Sequence, residues 1–261
     1  MFHTEIFSSS IASGAFARQQ VTYFSNTVLP PLNLGAQVSP EVPYLMALCG
    51  IGASIIQVQP QTPAFQPGPY PNFNPNNRGT AAESPVRFWD FSMRPLPMNA
   101  TDEIDIFASQ NLGAPEVEYI GVWFSNGPPQ PGPAGRVFFV HWTQTITALV
   151  GGALSQVAPT LDASLPAGTY LMVGARTLSA TALFFQIKPA MGAVWRPGGV
   201  AVQAYDSFDP VGQYPSEQAI LAGNYWGPWI SFQQNVPPTV VILATANDAT
   251  QEGWYALYKI A

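Results

Sequence analysis

Charge is the scarcest feature of this sequence. Nine of its 261 residues are Lys or Arg and 15 are Asp or Glu, so 9% carry a formal charge, where an average soluble chain carries about 25%. A monomer of 28.1 kDa exposes on the order of 11,000 Å², which leaves one formal charge per roughly 450 Å². That is sparse cover for a free monomer. The seven Arg and two Lys stand singly and the net charge is -6. No window can therefore neutralise a run of phosphates, which argues against direct nucleic-acid binding. Residues 1–20 hold one Glu, one His and one Arg. They supply neither a basic arm nor the basic and apolar regions of an export signal. The single cysteine, Cys49, has no intrachain partner for a disulfide, which fits assembly in a reducing cytoplasm. Two histidines and one cysteine fall short of the usual zinc ligand sets. Apolar runs break well before the roughly 18 residues that a membrane-spanning helix needs.

What is present points to β structure. The 27 Pro and 22 Gly have no collagen-like period, and 47% apolar with 13% aromatic residues is far from a disordered composition. Short runs of β-branched and aromatic residues recur between turn formers at 21–28, 43–48, 54–59, 86–93, 104–109, 117–125, 137–147, 168–175, 182–188, 229–233, 240–246 and 253–260. Such spacing predicts an all-β sandwich or barrel. Two stretches read as short helices, one within 4–18 and one at 216–223, where Ser216 is placed to cap.

The two halves of the chain resemble each other. PYLM at 43–46 recurs as TYLM at 169–172, SIIQVQP at 54–60 as LFFQIKP at 183–189, and FQPG at 65–68 as WRPG at 195–198. IDIFASQN at 104–111 recurs as VVILATAN at 240–247, and Tyr119 is followed by Tyr255. The offset grows from 126 (43 to 169) to 136 (104 to 240), as loop insertions between duplicated strands would produce. Between the halves, SNGPPQPGPAG at 125–135 has no charge and almost no apolar side chain, so it reads as a stiff connection. The expected organisation is an N-terminal arm (1–19), a first jelly-roll domain (20–125), a Pro/Gly linker (126–136) and a second jelly-roll domain (137–261). Long loops at 61–79 and 190–226 occupy equivalent places in the halves, where loops tend to carry contacts.

Two tandem β domains, each with about eight strand slots and one long loop, resemble the double jelly-roll major capsid proteins of tailless icosahedral viruses and bacteriophages. The resemblance spans about Val21 to Ile260 and rests on architecture and duplication. It implies two antiparallel jelly rolls, a trimer forming a pseudo-hexagonal capsomer, and a virion location with copies of itself and other virion proteins as partners. The charge-poor composition agrees, since the cores of obligate interfaces are depleted in charge. The seven Trp, 16 Phe and ten Tyr supply anchors for such interfaces. The chain is also expected to end on a strand, GWYALYKIA, with no tail.

Chemical signals are thin. His141, in VFFVHWTQ, and Cys49, in LMALCGIG, lack the partners of a nucleophile motif. They read as a structural histidine and an inert buried thiol, so no enzyme is expected and no catalytic residue is assigned. The acidic groups Asp102, Glu103 and Asp105, Glu116 and Glu118, and Asp206 and Asp209 read as solvating strand faces, with a structural Ca²⁺ site as the alternative. No other cofactor is expected. FQPG and WRPG read as type II turns with Gly at positive φ. Their residues Phe65, Pro67, Gly68, Trp195, Pro197 and Gly198 are the candidate intersubunit-loop positions. A tandem β-sandwich carbohydrate-binding or adhesin module is the rival reading, and an export signal with a well-solvated surface would distinguish it.

Overall fold

A computed structural model describes residues 2–11, 19–20, 22–23, 36–37, 43–51, 55–60, 72–73, 89–91, 94–97, 103–109, 116–128, 130–131, 136–144, 148–190, 196–201, 224–225 and 229–260. All regular structure among them is β. The chain divides into an N-terminal unit, Glu5–Gly127, and a C-terminal unit of Pro128–Ala261 together with Met1–Thr4.

In the N-terminal unit the strands are β1 (Phe2–Ile11), β2 (Gln19–Gln20), β3 (Thr22–Tyr23), β4 (Ala36–Gln37), β5 (Tyr44–Ile51), β6 (Ile55–Pro60), β7 (Asn72–Phe73), β8 (Trp89–Asp90), β9 (Leu96–Pro97), β10 (Glu103–Ser109) and β11 (Glu116–Ser125). One sheet runs β3-β1-β11-β5-β8 with β9 also on β5; the other runs β2-β10-β6-β7 with β4 also on β10. The C-terminal unit contains β12 (Gln130–Pro131), β13 (Phe138–Gln144), β14 (Leu154–Val157), β15 (Thr160–Leu161), β16 (Thr169–Leu178), β17 (Ala182–Lys188), β18 (Gly198–Val200), β19 (Asn224–Tyr225), β20 (Ile230–Gln233), β21 (Thr239–Ala244) and β22 (Gln251–Lys259). Its main sheets run β15-β13-β22-β16-β20 and β14-β21-β17-β18, and β12 pairs with β19.

The same order governs both units. With β1, β2, β5, β6, β7, β8, β10 and β11 as slots one to eight, the first strand neighbours the eighth, the second the seventh, the third the sixth and the fourth the fifth. The strands β13, β14, β16, β17, β18, β20, β21 and β22 repeat that order. A long antiparallel hairpin rolled into two sheets gives this nesting, which is the jelly-roll arrangement. Each unit also inserts a two-residue strand, β3 or β15, between slots two and three, on the outer edge of slot one.

Period-two alternation builds the core. In β13 Val140, Trp142 and Gln144 are buried while Phe139 is exposed. Trp142, Tyr170 and Tyr255 are fully buried, and the Tyr255 hydroxyl donates to Pro238 O at 3.2 Å. Burial pushes the Tyr255 pKa well up, so the phenol stays a neutral donor. Two glycines are fixed by close approach. A Cβ on Gly253 would lie 2.5 Å from the Trp142 ring and 2.0 Å from Arg176 O, and one on Gly198 would lie 2.1 Å from Phe185 O.

Every stretch expected to be a strand contains one. The helix expected within 4–18 is corrected for residues 4–11, which lie on β1 because hydrogen bonding to sheet neighbours outweighs the local pattern; residues 12–18 lie outside the described residues. Of the stretch 1–19, residues 2–11 and Gln19 lie on strands. The helix expected at 216–223 lies outside the described residues. The division between units falls between Gly127 and Pro128, inside 126–136, and that stretch is not wholly unpaired, since Gln130 pairs with Tyr225.

The sequence matches fall on equivalent strands but not always in register. PYLM and TYLM lie on or beside slot three, and the Gln57 and Gln186 matches lie on slot four. In the N-terminal unit Gln57 pairs with Phe107; in the C-terminal unit Gln186 pairs with Val241. The sequence match sets Phe107 on Leu243 instead, two residues along, a slip that keeps every side chain on its face. The partner of Gln186 on slot five is Gly198, whereas the partner of Gln57 is Asn72, so WRPG and FQPG are not equivalent. Tyr119 faces Ile51 and Tyr255 faces Ala175, at different depths of the same strand pair.

Candidate functional site

The outer face of the five-stranded sheet in the C-terminal unit carries one cluster of polar side chains around His141. Alternation turns Phe139, His141 and Thr143 of β13 away from Val140 and Trp142. The register sets Phe139 beside Ala256, His141 beside Trp254 and Thr143 beside Glu252, and Trp254 beside Arg176 on β16. The His141 ring lies 4.8 Å from that of Trp254, tilted by 51°.

Both imidazole nitrogens of His141 meet carboxylates. Nδ1 is hydrogen-bonded to Asp162 Oδ2, and Nε2 lies 3.3 Å from Glu252 Oε2. The Asp162 N–H also donates to His141 O at 3.1 Å, tying the residue after β15 to β13. Burial works to lower the His141 pKa, but the hydrogen bonds and negative charges of Asp162 and Glu252 together outweigh it, and the net shift is upward. A ring that donates from both nitrogens is an imidazolium. In that state it has no lone pair for a metal or a proton, and its role is a bridge between two anions. Among the described residues no group of three or more His, Cys, Asp or Glu side chains is placed to hold a metal ion.

The candidate loop positions divide. Phe65, Pro67, Gly68 and Trp195 lie outside the described residues. Pro197 and Gly198 are buried within the C-terminal unit: Pro197 O accepts the Ile187 N–H at 2.7 Å, and Gly198 opens β18 against Gln186. The type II turn expected at Gly198 is thus corrected. The position demands glycine because Phe185 O leaves no room for a side chain, not because φ is positive. Asp102, Asp206 and Asp209 lie outside the described residues. Glu103 and Asp105 lie on β10 and Glu116 and Glu118 on β11, while Cys49 lies on β5.

A second built feature was absent from the sequence reading. His3 and Thr4 lie fully inside the C-terminal unit. The Thr4 N–H donates to Arg196 O at 3.0 Å, Gln186 Nε2 donates to Thr4 O at 2.6 Å, and the Arg196 N–H donates to His3 Nδ1 at 2.9 Å. The sequence did offer a sign of the Phe139 face, since a period of two in VFFVHWTQ and in QEGWYALYK puts Phe139 with His141 and Glu252 with Trp254. It offered none for Asp162, which lies beyond a two-residue strand, or for the contact of Thr4 with Gln186, 182 residues apart.

No family model matches the chain, and neither does any curated protein. Among solved structures, the major capsid protein P2 from Bacteriophage PM2 is similar at 11% identity over 100% of this chain and 98% of that one, with a TM-score of 0.26. The jelly-roll assignment rests on the strand order of the two units.

Proposed function

We propose that this chain is a structural, self-assembling coat subunit: a major capsid protein whose copies form pseudo-hexagonal capsomers, as trimers, in an icosahedral virion. The observation that carries this reading is the repeated jelly-roll order in one chain, joined to a composition with 9% charged residues. Fold alone does not assign function, and jelly rolls serve lectins as well as capsids. Charge separates the two. A freely solvated binding module needs a well-charged surface, whereas a subunit covered by its own copies does not.

On this reading the chain is no enzyme, is assembled in the host cytoplasm, and leaves the genome to other virion proteins. Ca²⁺ at the acidic stretches would be structural. Light scattering and negative-stain imaging of the purified protein test the proposal. Capsomers or shells many times 28.1 kDa are expected. A clean monomer across protein concentration, salt and pH would overturn it.

A further inference from the structure

We propose that His141 is a pH-sensitive latch for an exposed strap, residues 158–168, that runs from β14 to β16 along the outer edge of β13. With the ring protonated the strap is fastened to that edge. With the ring neutral the strap lets go and bares the edge at Trp142 and Thr143. The whole device lies within the C-terminal unit of one chain, so it stands apart from the coat reading.

The strap is lightly held. None of its residues, APTLDASLPAG, is buried, and Pro159 and Pro166 have no N–H to give to a ladder. Its end at β16 is pinned. The Tyr170 hydroxyl donates to Pro166 O at 2.6 Å, the Gly168 N–H donates to Gln234 Oε1 at 3.1 Å, and the Gln234 N–H donates to Gly168 O at 3.1 Å. Its middle rests on the two-residue strand β15, where Leu161 pairs with Trp142 and Thr160 with Thr143, and on Asp162. A segment with so little buried surface belongs to the low-stability end of a fold. Covering an edge strand with such a segment is one way a sheet avoids unwanted pairing.

His141 holds Asp162 twice. The Asp162 N–H donates to His141 O at 3.1 Å, and the Asp162 carboxylate meets Nδ1 of the ring. The other nitrogen, Nε2, faces Glu252 of β22 at 3.3 Å. A protonated ring can donate to both carboxylates, whereas a neutral ring has one N–H and must turn a lone pair toward one of them. Asp162 is the partner that yields. Its side chain is 52% exposed on the strap, while that of Glu252 is 26% exposed on a strand paired on both sides. Of the other groups on this face, Phe139 and Thr143 on β13 and Trp254 on β22 carry no charge. The register sets Arg176 of β16 beside Trp254, and a guanidinium does not titrate in a protein. Asp162 is the one titratable residue of the strap. Burial works against the charged ring, but the two anions outweigh it. The latch is therefore fastened below about pH 6.5 and opens as pH rises through the folded value.

Amide hydrogen exchange of the full-length protein tests the latch. Rates are followed from about pH 5.5 to about pH 8.5, where carboxylates are ordinarily ionised, and corrected for the chemical exchange rate. Protection of the Asp162 N–H and of the β13–β15 ladder should fall on the order of tenfold across that range, the size of one hydrogen bond to a charged group. Protection in β16, β17 and β21 should hold. In His141→Gln, and in Asp162→Asn, whose amide can face either ring state, protection of the strap should not change with pH. Asp162 is exposed, so its variant decides should the His141 variant fail to fold. Constant protection of the strap in the wild type, a loss shared by the whole sheet, or a pH dependence that persists in Asp162→Asn would each overturn the proposal.

Discussion

His141 shows how much a single side chain depends on its neighbours. Alone on a strand it is a partly exposed imidazole; between Asp162 and Glu252 the protonated ring bridges β13, the residue after β15, and β22. Its folded pKa lies above the ordinary 6.5. The bridge therefore contributes stability that is fully present below about pH 6.5 and is lost as pH rises through the folded value. Thermal unfolding of the wild type from pH 5.5 upward should show a midpoint that declines above the ordinary histidine range relative to His141→Gln. Parallel pH profiles for the two proteins would contradict the bridge. The glycines argue similarly. Nothing in the sequence marks Gly253 as obligatory, yet the Trp142 ring lies where its side chain would stand.

At the scale of the element, the first strand has a dual allegiance. From Glu5 onward β1 counts with the N-terminal unit, while residues 1–4 are built into the C-terminal one. The local sequence FHTEIF resembles a short arm because its polar residues alternate irregularly. Only with Gln186 and Arg196 in place do His3 and Thr4 become interior residues. Deleting residues 2–4 strips partners from the Gln186 amide and the Arg196 N–H, and a buried unmade hydrogen bond costs about 1–3 kcal/mol each. The deletion should lower the denaturant midpoint of the full chain, with hydrogen-exchange protection lost first in β17 and β18. Unchanged protection there would show that these three residues are dispensable. Elements rich in β-branched and aromatic residues, such as β10, β16, β17 and β22, were legible as strands. β14 was not, since LSQV is four residues long and follows two glycines.

At the scale of the whole molecule, the scarcity of charge sets the kind of force available for assembly. With 9% charged residues, contacts between copies in the proposed coat would draw mainly on apolar burial, which salt does not screen and cooling weakens. Assembled mass measured by light scattering should persist from about 0.1 M to 1 M NaCl and decline near 0 °C. Dissociation by salt alone would point instead to ionic contacts. The sequence by itself determined the all-β class, the duplication and the charge-poor surface, because composition and period-two patterning are local properties that each short segment carries. Only the tertiary structure decided the nested strand order, the register of the repeats, the docking of Thr4 against Gln186 and the pairing of His141 with Asp162 and Glu252. Each of these joins residues far apart along the chain, and strand pairing leaves no mark in the sequence of either partner alone.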